Sequence, residues 1–246
     1  MRNCPPLSVL SRDCALFLDI DGTLLDFSVR PDQVVVPPGL LTLLHGLKGW
    51  LGGALALISG RKLADIERFF GPGIAAAAEH GALMRGADGK VIKEATPHPA
   101  LAAMAAPLRA ATAARPGTLL EEKRFGLVLH WRGAPERAEE LAAFGRELAA
   151  PHPELMLLPA HEAMEIRPHG TDKGGALVTF MRQPPFAGRK PVFIGDDTTD
   201  EPAIARANDM GGLGLHVARD FGGTTQAVRD WLAENLKRER AGDAAI

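Results

Sequence analysis

Two acidic runs stand out as residues that could do chemistry. Asp19-Ile20-Asp21-Gly22-Thr23 closes one apolar stretch, and Gly195-Asp196-Asp197-Thr198-Thr199-Asp200-Glu201 closes another. In an extended chain, residues two apart project to the same side, so Asp19 and Asp21 converge just beyond a strand's carboxyl end. Asp and Gly also build ordinary surface turns. A DxDGT string is rare at ordinary residue frequencies, however, and the second run holds more acids than a helix N-cap uses. Clustered carboxylates repel one another unless a cation neutralises them. Oxygen-only donors favour a hard ion such as Mg²⁺, bound through one or two carboxylates together with phosphate oxygens. These residues therefore suit phosphate chemistry.

Two weaker groupings point the same way. Ile58-Ser59-Gly60-Arg61 follows a further apolar run, where the Ser59 hydroxyl, backbone N–H groups and the next helix N-terminus can hold a phosphoryl oxygen. Lys173, in Gly170-Thr171-Asp172-Lys173-Gly174-Gly175, opens a helix. A cation is unfavourable there unless something anionic sits beside it. Thiolate and triad chemistry do not fit, because Cys4 and Cys14 lie upstream of these groups and no GxSxG elbow occurs.

The elements that must position these residues are legible as alternating apolar and amphipathic stretches. Strand-length runs at Ala15–Leu18, Ala54–Ile58, Ile74–Ala78, Pro191–Ile194 and Leu213–Val217 are separated by helical patterns such as Pro38–Trp50 and Lys62–Phe70. That alternation predicts an α/β fold with a doubly wound parallel sheet, whose ligands bind at the carboxyl ends of the strands. Between about Val91 and Ile166 the pattern changes. Helices over Pro99–Ala114 and Pro135–Ala150 bracket paired runs at Leu119–Glu122 and Leu127–Trp131, and Leu155–Leu158 and Ala163–Ile166 follow. This reads as a smaller α+β domain inserted into the core, with core segments 1–92 and 167–246 and a cap domain at 93–166.

Composition narrows the partners. The 246 residues are 46% hydrophobic and carry 28 Lys plus Arg against 30 Asp plus Glu, so no basic field invites nucleic acid. No tyrosine and only 5% aromatics leave few rings on which the bases of a single strand could stack. Arg2, Arg12 and Asp13 interrupt the opening stretch, and no apolar run reaches membrane-spanning length. Neither a disulfide framework nor a zinc site is suggested, so both cysteines are expected as reduced thiols in a cytoplasmic protein.

The order DxDGT, Ser59, Lys173 and GDDxxD resembles the haloacid dehalogenase-like phosphatase superfamily. Glu79-His80-Gly81-Ala82, Glu121-x-Lys123, His130-Trp131-Arg132, Glu165-Ile166-Arg167-Pro168, Gln33-Val34-Val35-Val36-Pro37 and the Gly195–Glu201 run resemble the bacterial trehalose-6-phosphate phosphatases. The resemblance implies a Rossmann-like core with a cap, in which Asp19 attacks phosphorus and Asp21 serves as general acid and then base. It implies Mg²⁺ held by Asp19, the Asp21 carbonyl and Asp196, with Asp197 or Asp200 behind them or orienting Lys173. Ser59 and Lys173 would bind phosphoryl oxygens.

In the cap, Glu121, Lys123 and Glu165 would grip the distal glucose, with Arg61 and His80 as substrate neighbours. His130 is left as either a structural histidine or a ligand contact. The implied reaction converts trehalose 6-phosphate to trehalose and inorganic phosphate, the last step of trehalose biosynthesis. The implied protein is a monomer functionally coupled to the synthase that makes its substrate. Alternatives are a capped phosphatase for another sugar phosphate, a phosphosugar mutase, and a catalytically silent sugar-phosphate sensor.

Overall fold

A computed structural model of the chain describes residues 10–27, 34–160 and 162–243. Cys4 and Gln33, named above, lie outside the described residues. In chain order the elements are β1 (Cys14–Leu18), α1 (Leu40–Trp50), β2 (Leu55–Ile58), α2 (Leu63–Phe70), β3 (Ala75–Ala78), β4 (Leu83–Arg85), β5 (Val91–Glu94) and α3 (Pro99–Ala113). Next come β6 (Leu119–Glu122), β7 (Leu127–His130), α4 (Ala138–Ala149), β8 (Leu155–Ala160) and β9 (Ala163–Pro168). The chain continues through α5 (Lys173–Met181), β10 (Lys190–Gly195), α6 (Glu201–Asp209), β11 (Leu213–His216), α7 (Val217–Asp220) and α8 (Thr225–Asp243). The chain divides into two compact units, broken between Lys93 and Glu94 and again between Thr171 and Asp172.

The first unit carries a seven-stranded sheet in the order β11-β10-β1-β2-β3-β4-β5. From β1 the chain winds one way to β2 and β3, while β10 and β11 lie on the other side, all in parallel. Right-handed crossovers running in opposite directions put their helices on opposite faces, so the strands are buried on both sides. That is why β1 is an unbroken apolar run, buried at every position, rather than an alternating one. The point where the winding reverses, between β1 and β10, is the crevice where open α/β sheets bind ligands. Leu18 pairs with Ile194 and with Leu57, and Ile58 pairs with Ala77, so the residues after these strands emerge along one edge. Asp19, Ser59, Glu79 and Asp196 are those residues.

Lys173 reaches the same edge through aromatic packing of its helix. Phe180 of α5 lies 6.1 Å from Phe17 of β1 and 5.1 Å from Phe186, ring centre to ring centre. Truncating a buried ring such as Phe180 to alanine costs about 3–5 kcal/mol, and here it would also loosen the seat of Lys173. The short strands β4 and β5 extend the sheet beyond the expected core, with β4 antiparallel to β3. Three and four residues respectively, interrupted by the Gly86–Lys90 turn, give too little alternation to be read as strands in advance.

The second unit is a four-stranded antiparallel sheet, β6-β7-β9-β8, with α3 and α4 on one face. Leu127, Leu129, Met164 and Ile166 share an apolar cluster with Leu101, Met104 and Leu108 of α3. A Cβ on Gly145 of α4 would lie 2.5 Å from the Met164 methyl, so glycine allows the helix to seat on the sheet. The expected helix over Pro135–Ala150 starts instead as a single 3₁₀ turn at Pro135–Arg137, and α4 begins at Ala138. Period-two alternation leaves Glu121, Val128, His130 and Glu165 on the face away from the helices.

Candidate active site

Asp19 follows β1 directly, tied to the neighbouring strand by its own N–H, which donates to the Ile194 carbonyl at 3.0 Å. Its carboxylate is buried. Lys173 Nζ donates to Asp19 Oδ1 at 2.7 Å and to Asp200 Oδ1 at 2.7 Å. Thr23 Oγ1 donates to Asp19 Oδ2 at 3.2 Å, and it also lies 3.4 Å from Asp196 Oδ1. Burial alone would push the Lys173 ammonium down, but Asp19 and Asp200 outweigh it and hold it above its ordinary value. The lysine at the start of α5 is thus explained by the anions it meets.

Asp200 is fully buried and occupied by protein partners. Besides Lys173 on Oδ1, its Oδ2 accepts the N–H groups of Asp196 at 3.1 Å and Asp197 at 3.2 Å. It therefore ties the loop after β10 to the Lys173 ammonium. Asp197 accepts the Thr199 N–H at 2.6 Å and so acts within the loop.

Asp19, Asp196 and Asp200 bring oxygen atoms within 4.8 Å of one another, the group of acids among the described residues suited to a metal ion. Burial first, then Asp200 and Asp196, hold the Asp19 carboxyl well above the usual carboxylate range despite Lys173. Burial, followed by Asp200 and Asp197, raises Asp196 to about 7. Carboxylates pushed toward protonation at one place are what a divalent cation relieves, so this all-oxygen set fits one. Gly22 keeps the place open: at φ +78° it is left-handed, and a Cβ there would stand 2.0 Å from Asp196 Oδ2. Asp200 already accepts from Lys173 and the loop N–H groups, which makes Asp19 and Asp196 the candidate ligands for such an ion.

Asp21 stands on the same turn and is gripped by Arg61, with Nε to Oδ2 at 2.7 Å and Nη2 to Oδ1 at 2.6 Å. Arg61 stacks on Phe69 of α2, 4.9 Å from the ring centre. Ser59 is buried at the end of β2, and its hydroxyl accepts the Arg61 N–H at 3.2 Å. Glu79 and His80, also buried, adopt left-handed φ of 46° and 56°. Consecutive residues of this kind are strained and held by their surroundings. Here Glu79 N–H donates to the Arg61 carbonyl and His80 N–H to the Ser59 carbonyl, and the His80 ring packs where Gly60 has no Cβ.

The structure thus brings Asp19, Asp21, Ser59, Arg61, His80, Lys173 and Asp196 onto one unit. Glu121, Lys123 and Glu165 belong to the other. There Lys123 Nζ pairs with Glu165 Oε1 at 3.1 Å, both side chains nearly buried, and Glu121 Oε2 lies 3.0 Å from His130 Nε2. Sequence reasoning missed Thr23 and Phe69 as parts of the site. The threonine was visible as the last letter of DxDGT, whereas nothing in the spacing marked Phe69.

The model of the family described as Trehalose-phosphatase matches residues 17–230. A probable trehalose-phosphate phosphatase of Sinorhizobium fredii is 43% identical over 216 residues, 86% of this chain and 81% of the relative. The trehalose-6-phosphate phosphatase of Escherichia coli is 38% identical over 219 residues, 89% of this chain and 81% of that protein. Among solved structures, the C-terminal domain of the Candida albicans trehalose-6-phosphate phosphatase shares the fold. Its TM-score is 0.79 at 19% identity, and the match covers 92% of this chain and 93% of that one.

Proposed function

We propose, starting from the premise that this chain belongs to the trehalose-phosphatase family, that it hydrolyses trehalose 6-phosphate to trehalose and inorganic phosphate through an aspartyl phosphate on Asp19. The observation that carries this is the Asp19 carboxylate, buried at the strand reversal, with Lys173 at 2.7 Å and the Asp196 carboxylate beside it. A phosphate monoester is among the slowest bonds to break in water, so preorganised charge at the phosphoryl group must supply most of the acceleration.

In the first step an Asp19 oxygen bonds to phosphorus, the bond from phosphorus to the sugar oxygen breaks, and Asp21 gives that oxygen a proton. In the second, water bonds to phosphorus and gives its proton to Asp21. The phosphorus–Asp19 bond then breaks, releasing phosphate and restoring both carboxyl groups. Lys173 and Ser59 neutralise and hydrogen-bond the phosphoryl oxygens as charge shifts among them. Mg²⁺, held by Asp19 and Asp196, supplies Lewis acidity and orientation when bound. His80 and Arg61 line this end of the substrate.

Glu121, Lys123 and Glu165 supply sugar recognition, since hydrogen bonds to charged groups are the strong ones in polyol binding. A cytoplasmic monomer coupled to the synthase that supplies its substrate completes the proposal. Among the described residues, no helix is long and apolar enough to cross a membrane. The test is phosphate release from a panel of trehalose 6-phosphate, sucrose 6-phosphate and glucose 6-phosphate, each with Mg²⁺ and with EDTA. Preference for trehalose 6-phosphate, lost in EDTA, is expected; equal turnover of all three would defeat the substrate assignment.

A further inference from the structure

The face of the second unit's sheet away from its helices holds its two recognition carboxylates by different means. Glu165 is paired with an ammonium, that of Lys123, at 3.1 Å. Glu121 is instead held by an imidazole. Register places Glu121 opposite Val128 and His130 opposite Leu119, so Glu121 and His130 are diagonal neighbours on one face. Side chains of that length reach across such a diagonal, and Nε2 meets Oε2 at 3.0 Å with both side chains at most a quarter exposed. On its other side His130 faces Ala163, too small to crowd the ring.

We propose that His130 is a positioning residue for sugar recognition: it fixes the rotamer of Glu121 so that the carboxylate is already aimed when a sugar hydroxyl donates to it. The proposal rests on the trehalose 6-phosphate assignment above. A glutamate loses much rotamer freedom on binding a ligand, and one fixed beforehand binds without that loss. Imidazole suits the task because it has fewer rotatable bonds than lysine and so surrenders less freedom itself. A carboxylate has about four lone-pair positions, so it accepts from His130 and still accepts from a ligand. The chemistry at phosphorus involves none of these groups, so the effect belongs to binding of the sugar and not to bond breaking.

The experiment compares wild type, His130→Ala, His130→Gln, Glu121→Ala and the His130→Ala/Glu121→Ala double variant. Each is measured on trehalose 6-phosphate and on p-nitrophenyl phosphate, which has no sugar. For His130→Ala we expect KM for trehalose 6-phosphate to rise about tenfold with kcat within about twofold, and p-nitrophenyl phosphate turnover to stay level. His130→Gln, whose amide N–H still donates, should recover most of the KM. In the Glu121→Ala background, removing His130 should change nothing more. Equal losses on both substrates, or full additivity in the double variant, would overturn the positioning role. A wild-type enzyme with no preference for trehalose 6-phosphate would instead sink the substrate assignment and the proposal with it, and that control is read before any variant.

Discussion

Arg61 and Asp21 form a two-pronged ion pair, its hydrogen bonds 2.7 and 2.6 Å long, and the arginine is braced from behind by the Phe69 ring. A planar fork fixes the plane of a carboxylate as a point charge cannot. Asp21 is the group proposed to hand a proton to the sugar oxygen, so its aim decides whether the transfer occurs. Arg61→Lys keeps the charge and loses the fork. We expect kcat on trehalose 6-phosphate to fall about 10- to 100-fold, within the range that general acid catalysis contributes. The fall should be much smaller with p-nitrophenyl phosphate, whose leaving group departs without a proton. Steady-state rates on the two substrates check this; equal losses would mean Arg61 acts only on the phosphate.

The acidic cluster couples pH to metal binding. Asp196 is raised to about 7 in the folded protein from an ordinary 3.8. A carboxyl raised on folding means the folded chain holds its proton more tightly than the unfolded chain does. The metal-free protein therefore loses stability as pH climbs from about 4 to about 7 and carries the whole penalty above that. A divalent ion binds the ionised form and removes the penalty. Thermal unfolding with EDTA and with Mg²⁺, at pH 5 and at pH 8, should show a larger metal-induced rise in Tm at pH 8. A rise of the same size at both would speak against Asp196 as a ligand.

Gly22 and Gly39 separate backbone strain from loss of the site. Both have positive φ, 78° and 82°, but a Cβ at Gly22 collides with Asp196 while one at Gly39 meets open space. Each change to alanine should cost about 1–2 kcal/mol for the left-handed conformation. Gly22→Ala should also lose metal-dependent turnover by more than about 100-fold, because it displaces a preorganised charged group by an ångström or more. Gly39→Ala should keep its kcat. Urea unfolding and phosphate release on the pair distinguish the two effects.

Much of this was legible in the sequence because the chemistry lies on local motifs at strand ends. Asp19, Ser59 and Asp196 each close an apolar run, and parallel strands in register had to bring them to one edge. Lys173 was legible as a cation in the wrong place, and the structure shows the anions that make it right. What stayed hidden depended on side chains meeting across long separations. Asp21 and Arg61 are 40 residues apart, and His130 finds Glu121 only once the β6–β7 register is known. The strands β4 and β5 were hidden for a different reason: each is too short for its own period to show.

The most direct test of the central claim is a rapid-quench single turnover of trehalose 6-phosphate, followed by mass analysis of the peptide that carries Asp19. A phosphoryl group should appear on Asp19 before free phosphate does, and Asp19→Asn, in which Lys173 keeps Asp200 as a partner and the protein should stay folded, should form neither. Phosphate release with no phosphorylated Asp19 at any time, or continued turnover by Asp19→Asn, would contradict the account.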